Sequence, residues 1–144
     1  MKFIPLLSFL LFICSCKDEI VITNPPPNEP MGTWIIDLQP SWSPDGHTIA
    51  YFHNDTSFSL RGIYLIDTNC LNKGQLTSGG SPDFSPDGNW IVYDNWHIYK
   101  IKVNGDSISQ LTNNSSYDYY PVWSSDGNWI TYSHQYDSTL NLGI

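Results

Sequence analysis

The chain has 144 residues, of which 40 % are hydrophobic and 15 % aromatic, and its formal net charge is −8 with only six lysines and arginines. This composition predicts one folded domain rather than a disordered chain. The acidic balance, without a basic patch, argues against binding to nucleic acid or to an anionic lipid surface. Short runs rich in Tyr, Trp, Val, Ile and Thr alternate with clusters of Gly, Pro, Asn, Asp and Ser, which favours strands and turns over long helices.

The N-terminal segment has the features of an export signal. An apolar run from Phe3 to Ile13 is too short for a permanent transmembrane helix and has the length of a signal-peptide core. The following Ile13-Cys14-Ser15-Cys16 resembles the lipobox of bacterial lipoproteins, which implies a signal peptide over residues 1–15 and lipidation of Cys16. Acyl chains such as palmitate would then anchor the protein, each buried CH₂ contributing about 0.8 kcal/mol. The alternative is an ordinary secretory peptide cut near Ser15, with a free Cys16.

A charged and proline-rich linker follows the lipobox. The Lys-Asp-Glu of residues 17–19 resembles an export tag on some surface-exposed lipoproteins of the Bacteroidetes group, and the alternative is a solvated charge cluster. Four prolines within residues 24–32 predict an extended spacer. We therefore predict a lipidated linker over residues 16–32 and the folded domain over residues 33–144. With Cys14 removed and Cys16 acylated, Cys70 has no partner for an intramolecular disulfide.

One short turn occurs three times in the domain, as Trp-Ser-Pro-Asp-Gly at 42–46, Phe-Ser-Pro-Asp-Gly at 84–88 and Trp-Ser-Ser-Asp-Gly at 123–127. Its glycines are 42 and 39 residues apart, and a strand-like run with Ile and Tyr two residues apart follows each copy. Within the turn, Pro fixes φ, Asp or Ser caps backbone N–H groups, and Gly accepts a positive φ. We assign a structural rather than catalytic role to the twelve turn residues Ser43, Pro44, Asp45, Gly46, Ser85, Pro86, Asp87, Gly88, Ser124, Ser125, Asp126 and Gly127.

Each unit of about forty residues is predicted to be four short antiparallel strands, which make one blade of a β-propeller. The run Pro-Ser-Trp-Ser-Pro-Asp-Gly from Pro40, with the later Gly-Ile-Tyr-Leu-Ile-Asp and Gln-Leu-Thr, resembles the WD40-like repeat of TolB-type β-propellers. The resemblance extends from about Pro40 to the C terminus. The predicted fold class is therefore all-β, an incomplete β-propeller of four-stranded antiparallel blades with two full repeats plus part of a third.

The resemblance implies several roles, because propellers of this kind serve as periplasmic binding scaffolds, as covers over hydrolase domains and occasionally as lyases. A closed propeller has four to eight blades, which is more than this sequence supplies. We therefore expect a truncated reading frame, a split gene, or self-association of several chains through open blade edges.

A candidate binding rim lies at strand ends and in the loops between strands. The segments 54–61, 94–97 and 115–121 combine aromatic rings with amides and carboxylates, which suits a carbohydrate or peptide surface. The alternatives are that the rings pack between blades and that the histidines are ordinary loop residues. The candidate rim residues are His53, Trp96, His97, Tyr119, Tyr120 and His134.

The sequence contains no nucleophile elbow, zinc-protease motif, Cys-x-x-Cys pair or glycine-rich phosphate loop. We therefore expect no catalysis, no catalytic or metal-binding residue and no cofactor. The predicted function is a non-catalytic protein- or glycan-binding module, lipid-anchored in the bacterial cell envelope on the periplasmic or surface-exposed face of the outer membrane. Its predicted partners are the bilayer, through acylated Cys16, and an envelope protein or glycan. The alternative is the N-terminal propeller fragment of an enzyme, either a prolyl-oligopeptidase-type serine peptidase or a propeller lyase.

Overall fold

The computed structural model describes residues 35–55, 60–69 and 73–135. The predicted signal peptide, Cys16, the linker, Cys70 and residues 136–144 lie outside the described residues. Within them, the strands are β1 Ile35–Trp42, β2 Thr48–Asp55, β3 Gly62–Asp67, β4 Lys73–Thr77, β5 Gly80–Phe84, β6 Trp90–Asn95, β7 His97–Lys102, β8 Ile108–Gln110, β9 Asp118–Trp123 and β10 Ile130–His134.

These strands form three antiparallel sheets in chain order, β1–β4, β5–β8 and β9–β10. Each strand pairs with its neighbour in sequence, so every sheet is a simple meander. The described residues contain no helix, and hence none long and apolar enough to cross a bilayer. The predicted all-β class, with two complete four-stranded units and part of a third, is confirmed.

The repeated turn joins the first and second strands of each sheet with the same hydrogen bonds. In the first copy, Ser43 Oγ donates to Asp45 Oδ1 at 2.6 Å, and the Gly46 N–H donates to the Ser43 carbonyl at 2.9 Å. The glycine has φ of 72° in all three copies. The third copy keeps the same bonds although Ser125 replaces the proline. The serine, aspartate and glycine therefore suffice for this geometry.

Hydrogen bonds within these turns lower the pKa of the turn carboxyl groups. The bond from the turn serine is the largest cause, and together with bonds from the following asparagine it lowers the pKa of Asp87 and of Asp126 from 3.8 to about 2. The pKa of Asp45 is lowered for the same reason. The folded state therefore favours the ionised carboxylates more than the unfolded state does. These groups stabilise the fold at a pH above their unfolded pKa, and this stabilisation is lost as the pH falls towards 2.

Consecutive residues of β2 point to opposite faces of the first sheet, and Ile49, Ala50 and Tyr51 are all buried. Ile49 and Tyr51 belong to a cluster on one face, while Ala50 on the other face packs with Ile91 and Tyr93 of the second sheet. A fully buried isoleucine contributes about 1.5–3 kcal/mol. The Ile and Tyr of the second repeat therefore pack against one face of the first repeat, and this contact holds the first two sheets together.

The first strand of each sheet carries a β-bulge at the residue before its proline. Gln39, Ser81 and Tyr120 have φ of 55°, 50° and 54°, in the left-handed region that side chains rarely adopt. In each pairing two residues face a single residue of the next strand, and that residue is the repeated tyrosine. A proline is tolerated here because a bulge interrupts the ladder of backbone donors.

Side chains of one sheet bind backbone N–H groups of the next. The N–H of Ser81 donates to Gln39 Oε1 at 3.2 Å. The Asp83 carboxylate joins all three sheets, because it accepts from Ser41 Oγ at 3.0 Å and from the N–H of Trp123 at 2.7 Å. These hydrogen bonds add to the apolar contacts and fix the position of each sheet relative to its neighbour.

A matched pair of substitutions tests whether the turn depends on the positive φ of its glycine. Gly46 and Gly74 both have room for a methyl group, since no atom lies within 4 Å of a Cβ built on either, but only Gly46 has a left-handed φ. We expect Gly46→Ala to reduce the free energy of unfolding by about 1–2 kcal/mol. Gly74→Ala should leave it unchanged or raise it slightly.

Urea denaturation of the two variants and the native chain measures this difference. Equal loss of stability in both would mean that the turn does not depend on the left-handed conformation of its glycine.

Candidate functional site

An open cavity of about 480 Å³ lies at the edge of the sheets opposite the repeated turns. It is bordered by the loop between β6 and β7, the start of β5, and the segment that leads into β9. We call it the aromatic pocket. Its lining residues are Gln39, Phe52, Arg61, Gly79, Gly80, Ser81, Asp94, Asn95, Trp96, Tyr117, Asp118, Tyr119 and Tyr120.

Two positions beside the aromatic pocket carry side chains in the first and third repeats but are glycines in the middle repeat. Gly79 and Gly80 stand where the aligned repeats have Asp37 and Leu38 in the first copy and Asp118 and Tyr119 in the third. A Cβ on Gly80 would lie 3.3 Å from Asp94 Oδ1 and 3.7 Å from Phe52. A Cβ on Gly79 would lie 2.5 Å from the Asp94 carbonyl oxygen, and Gly79 has φ of 122°. Gly79 is therefore required by the close approach of the Asp94 backbone, whereas the missing side chain at Gly80 leaves space beside Asp94 and Phe52.

The first and third repeats have an aspartate–histidine pair where the middle repeat has glycine and asparagine. His53 Nδ1 lies 2.6 Å from Asp37 Oδ1, and His134 Nδ1 lies 2.6 Å from Asp118 Oδ1. Each pair joins the first and second strands of its sheet at directly opposed positions. His53 is only 5 % exposed, so its ring serves the packing of the first sheet and is closed to a ligand.

Asp118 is completely buried beneath the aromatic pocket. Burial raises its pKa, but hydrogen bonds from His134, Thr112 and Asn114 together outweigh that effect, and the pKa lies below its ordinary value. His97 Nδ1 is also buried, lies 4.0 Å from Asp118 Oδ2 and has no hydrogen-bond partner among the described residues. Asp118 thus remains ionised at neutral pH and organises the side chains around it.

Two aromatic rings in tilted contact form one wall of the aromatic pocket. The ring centroids of Trp96 and Tyr117 are 4.5 Å apart with an interplanar angle of 33°, and the two residues are 65 % and 40 % exposed. We call this pair the aromatic platform. Trp96 has φ of 70°, a conformation that costs of order 1 kcal/mol or more. Its carbonyl accepts the N–H of Asp118 at 3.0 Å, which fixes the turn and the exposed ring.

Polar groups of both charge signs border the platform. Asp94 Oδ2 accepts the N–H of Tyr120 at 3.0 Å, which orients the carboxylate. The guanidinium of Arg61 lies 5.6 Å from the centre of the Phe52 ring, and no ion pair within the described part of the chain includes it. Asn95 adds an amide to the lining. The aromatic pocket can therefore both donate and accept hydrogen bonds.

The structure separates the predicted rim residues into two groups. Trp96, Tyr119 and Tyr120 line the aromatic pocket. The three histidines do not line it, since His53 is paired with Asp37, and His97 and His134 face Asp118. Sequence reasoning did not single out the glycine pair, which the aligned repeats would have revealed as a loss of side chains at one repeat only.

Other features of the described residues offer less to a ligand. A second cavity of about 540 Å³ lies beside the turns at Gly88 and Asn104, but its aromatic ring, Trp90, is covered by Lys100 and Lys102. The same residues contain no group of three or more His, Cys, Asp or Glu side chains that could hold a metal ion.

Comparison with known proteins gives a fold but no assigned activity. No family model matches the chain. An uncharacterized protein of Agrobacterium fabrum is 32 % identical over 90 residues, which are 56 % of this chain and 30 % of that protein. The chain therefore spans less than a third of the length of this curated relative.

Solved structures of longer propellers superpose on the chain. A TolB-like protein from Agrobacterium tumefaciens gives a TM-score of 0.62 at 24 % identity, over 79 % of this chain and 42 % of the other. TolB from Acinetobacter baumannii gives 0.58 at 23 % identity, over 70 % and 27 %. An oligogalacturonate lyase in complex with manganese gives 0.50 at 20 % identity, over 62 % and 26 %. The described chain thus has a TolB-like β-propeller fold, incomplete at two blades and part of a third.

Proposed function

We propose that this chain is a non-catalytic binding module of the bacterial cell envelope, held on the outer membrane by acylated Cys16, and that the aromatic pocket receives an envelope protein or glycan. The observation that carries the proposal is the pocket itself, in which exposed rings and fixed polar groups meet at a gap in the middle blade. Concave sites with a few placed polar groups are the usual form of binding sites.

The fold and the charge support this proposal. TolB-like neighbours support a propeller that binds rather than reacts. The net charge of −8 disfavours nucleic acid as a partner. Val122 and Tyr132 are half-exposed on β9 and β10, which supports self-association through an open blade as a second mode of contact.

The lipid anchor is tested by labelling cells with a clickable palmitate analogue. We expect the native chain to incorporate the label and to fractionate with the outer membrane. Cys16→Ser should lose both properties, whereas Cys70→Ser should keep them, because only Cys16 occupies the lipidation position of the lipobox. Labelling that persists in Cys16→Ser would overturn the anchor.

The binding site is tested by photo-crosslinking in cells. A benzophenone side chain placed at Tyr117, in the aromatic pocket, should give a crosslinked product with a protein or a glycan. The same group at Trp129, which is 72 % exposed and outside the pocket, serves as the control. Products at both positions alike, or at neither, would contradict a binding role for the pocket.

An enzyme fragment is the second candidate, because a propeller lyase is among the structural neighbours and the relatives are much longer than this chain. In that case the genomic sequence beyond the codon for Ile144 should contain further Ser-Pro-Asp-Gly repeats, followed by an elbow serine or metal-binding histidines. Sequencing about a kilobase in all three frames distinguishes the two candidates, and a non-coding stretch would rule out the enzyme fragment.

A further inference from the structure

We infer that the ligand of the aromatic pocket is a saccharide, whose ring stacks on the aromatic platform and whose hydroxyl groups bind Asp94, Asn95 and Arg61. This inference rests on the proposed binding function and narrows its ligand to one chemical class.

The shape of the aromatic pocket favours a small ring over a protein surface. Its volume of about 480 Å³ falls within the range of small-molecule sites, about 300–1,000 Å³. A stable protein partner instead covers about 800 Å² on each side and needs an apolar centre. Here the pocket is a concavity beside Gly80, lined by residues of all three sheets, with polar groups at its border.

The aromatic platform suits the apolar face of a sugar ring. A pyranose presents several C–H groups on one face, and such a face packs on an aromatic ring through dispersion and hydrophobic contact. The left-handed turn at Trp96 holds the indole 65 % exposed beside Tyr117 instead of burying it between blades. A strained backbone that keeps a large ring in solvent is typical of a functional position.

The polar border suits hydroxyl groups, each of which both donates and accepts hydrogen bonds. The Asp94 carboxylate is an acceptor, and the amide of Asn95 and the guanidinium of Arg61 are donors. The Tyr120 N–H already orients Asp94 without a ligand, and the Trp96 carbonyl is fixed by Asp118. Such preorganisation reduces the entropy that binding must overcome.

The test uses the full chain on an array of neutral and acidic oligosaccharides, followed by calorimetric titration with the oligosaccharide that binds best. We expect Trp96→Ala to weaken that binding by about tenfold or more, as for an aromatic anchor. Gly80→Leu, which introduces the residue of the first blade, should weaken it by a similar factor because it fills the gap. Trp129→Ala removes an exposed tryptophan outside the pocket and should bind as the native chain does.

Two results would contradict the inference that the ligand is a saccharide. One is that no oligosaccharide on the array binds the native chain. The other is that Trp96→Ala and Gly80→Leu bind the oligosaccharide as tightly as Trp129→Ala does. Circular dichroism spectra that match that of Trp129→Ala would show that both variants are folded. A protein crosslinked at Tyr117 in cells, together with a negative array, would leave the binding function standing and replace its ligand by a protein. If no protein is crosslinked at Tyr117 and no oligosaccharide binds, the proposed binding function is wrong as well.

Discussion

The left-handed residue before the proline of each first strand is the constraint on which the architecture depends. Without the bulge, the first strand of each sheet would pair continuously with the second and would keep its backbone donors within that sheet. With it, the N–H groups of Ser81 and Tyr120 are free to bind side chains of the preceding sheet. In the second and third copies, this local backbone cost, of order 1 kcal/mol each, is offset by a bond that joins one blade to the next.

Much of this fold could be predicted, because its signals are local and repeated. The alternation of Ile and Tyr set the strand faces, and the Ser-x-Asp-Gly run set the turns, since both depend on neighbours a few residues apart. The bulge was visible only as a proline two residues before each Trp or Phe. Its conformation depends on pairing with another strand, so the sequence pattern alone did not identify it.

The candidate site was less predictable, because it depends on which side chains are missing. The rings of Trp96, Tyr119 and Tyr120 were expected at the rim from their place at strand ends and in loops. The histidines were grouped with them because they also lie at strand ends. In the structure, however, each histidine ring faces an aspartate, either Asp37 or Asp118. Distinguishing the two groups required the pairing of opposite strands, which brings together residues 16 positions apart.

The bonds between blades also bear on how the chain reaches its fold. The side-chain bonds from one blade to the next connect residues separated by 42, 40 and 26 positions. Each blade therefore depends only on its immediate neighbours, as in other repeat proteins, and structure can spread along the chain from any one pair. The middle blade is held from both sides through Asp83. The aromatic pocket is lined by residues of all three sheets, so it is complete only when the first and third sheets are both docked on the middle one.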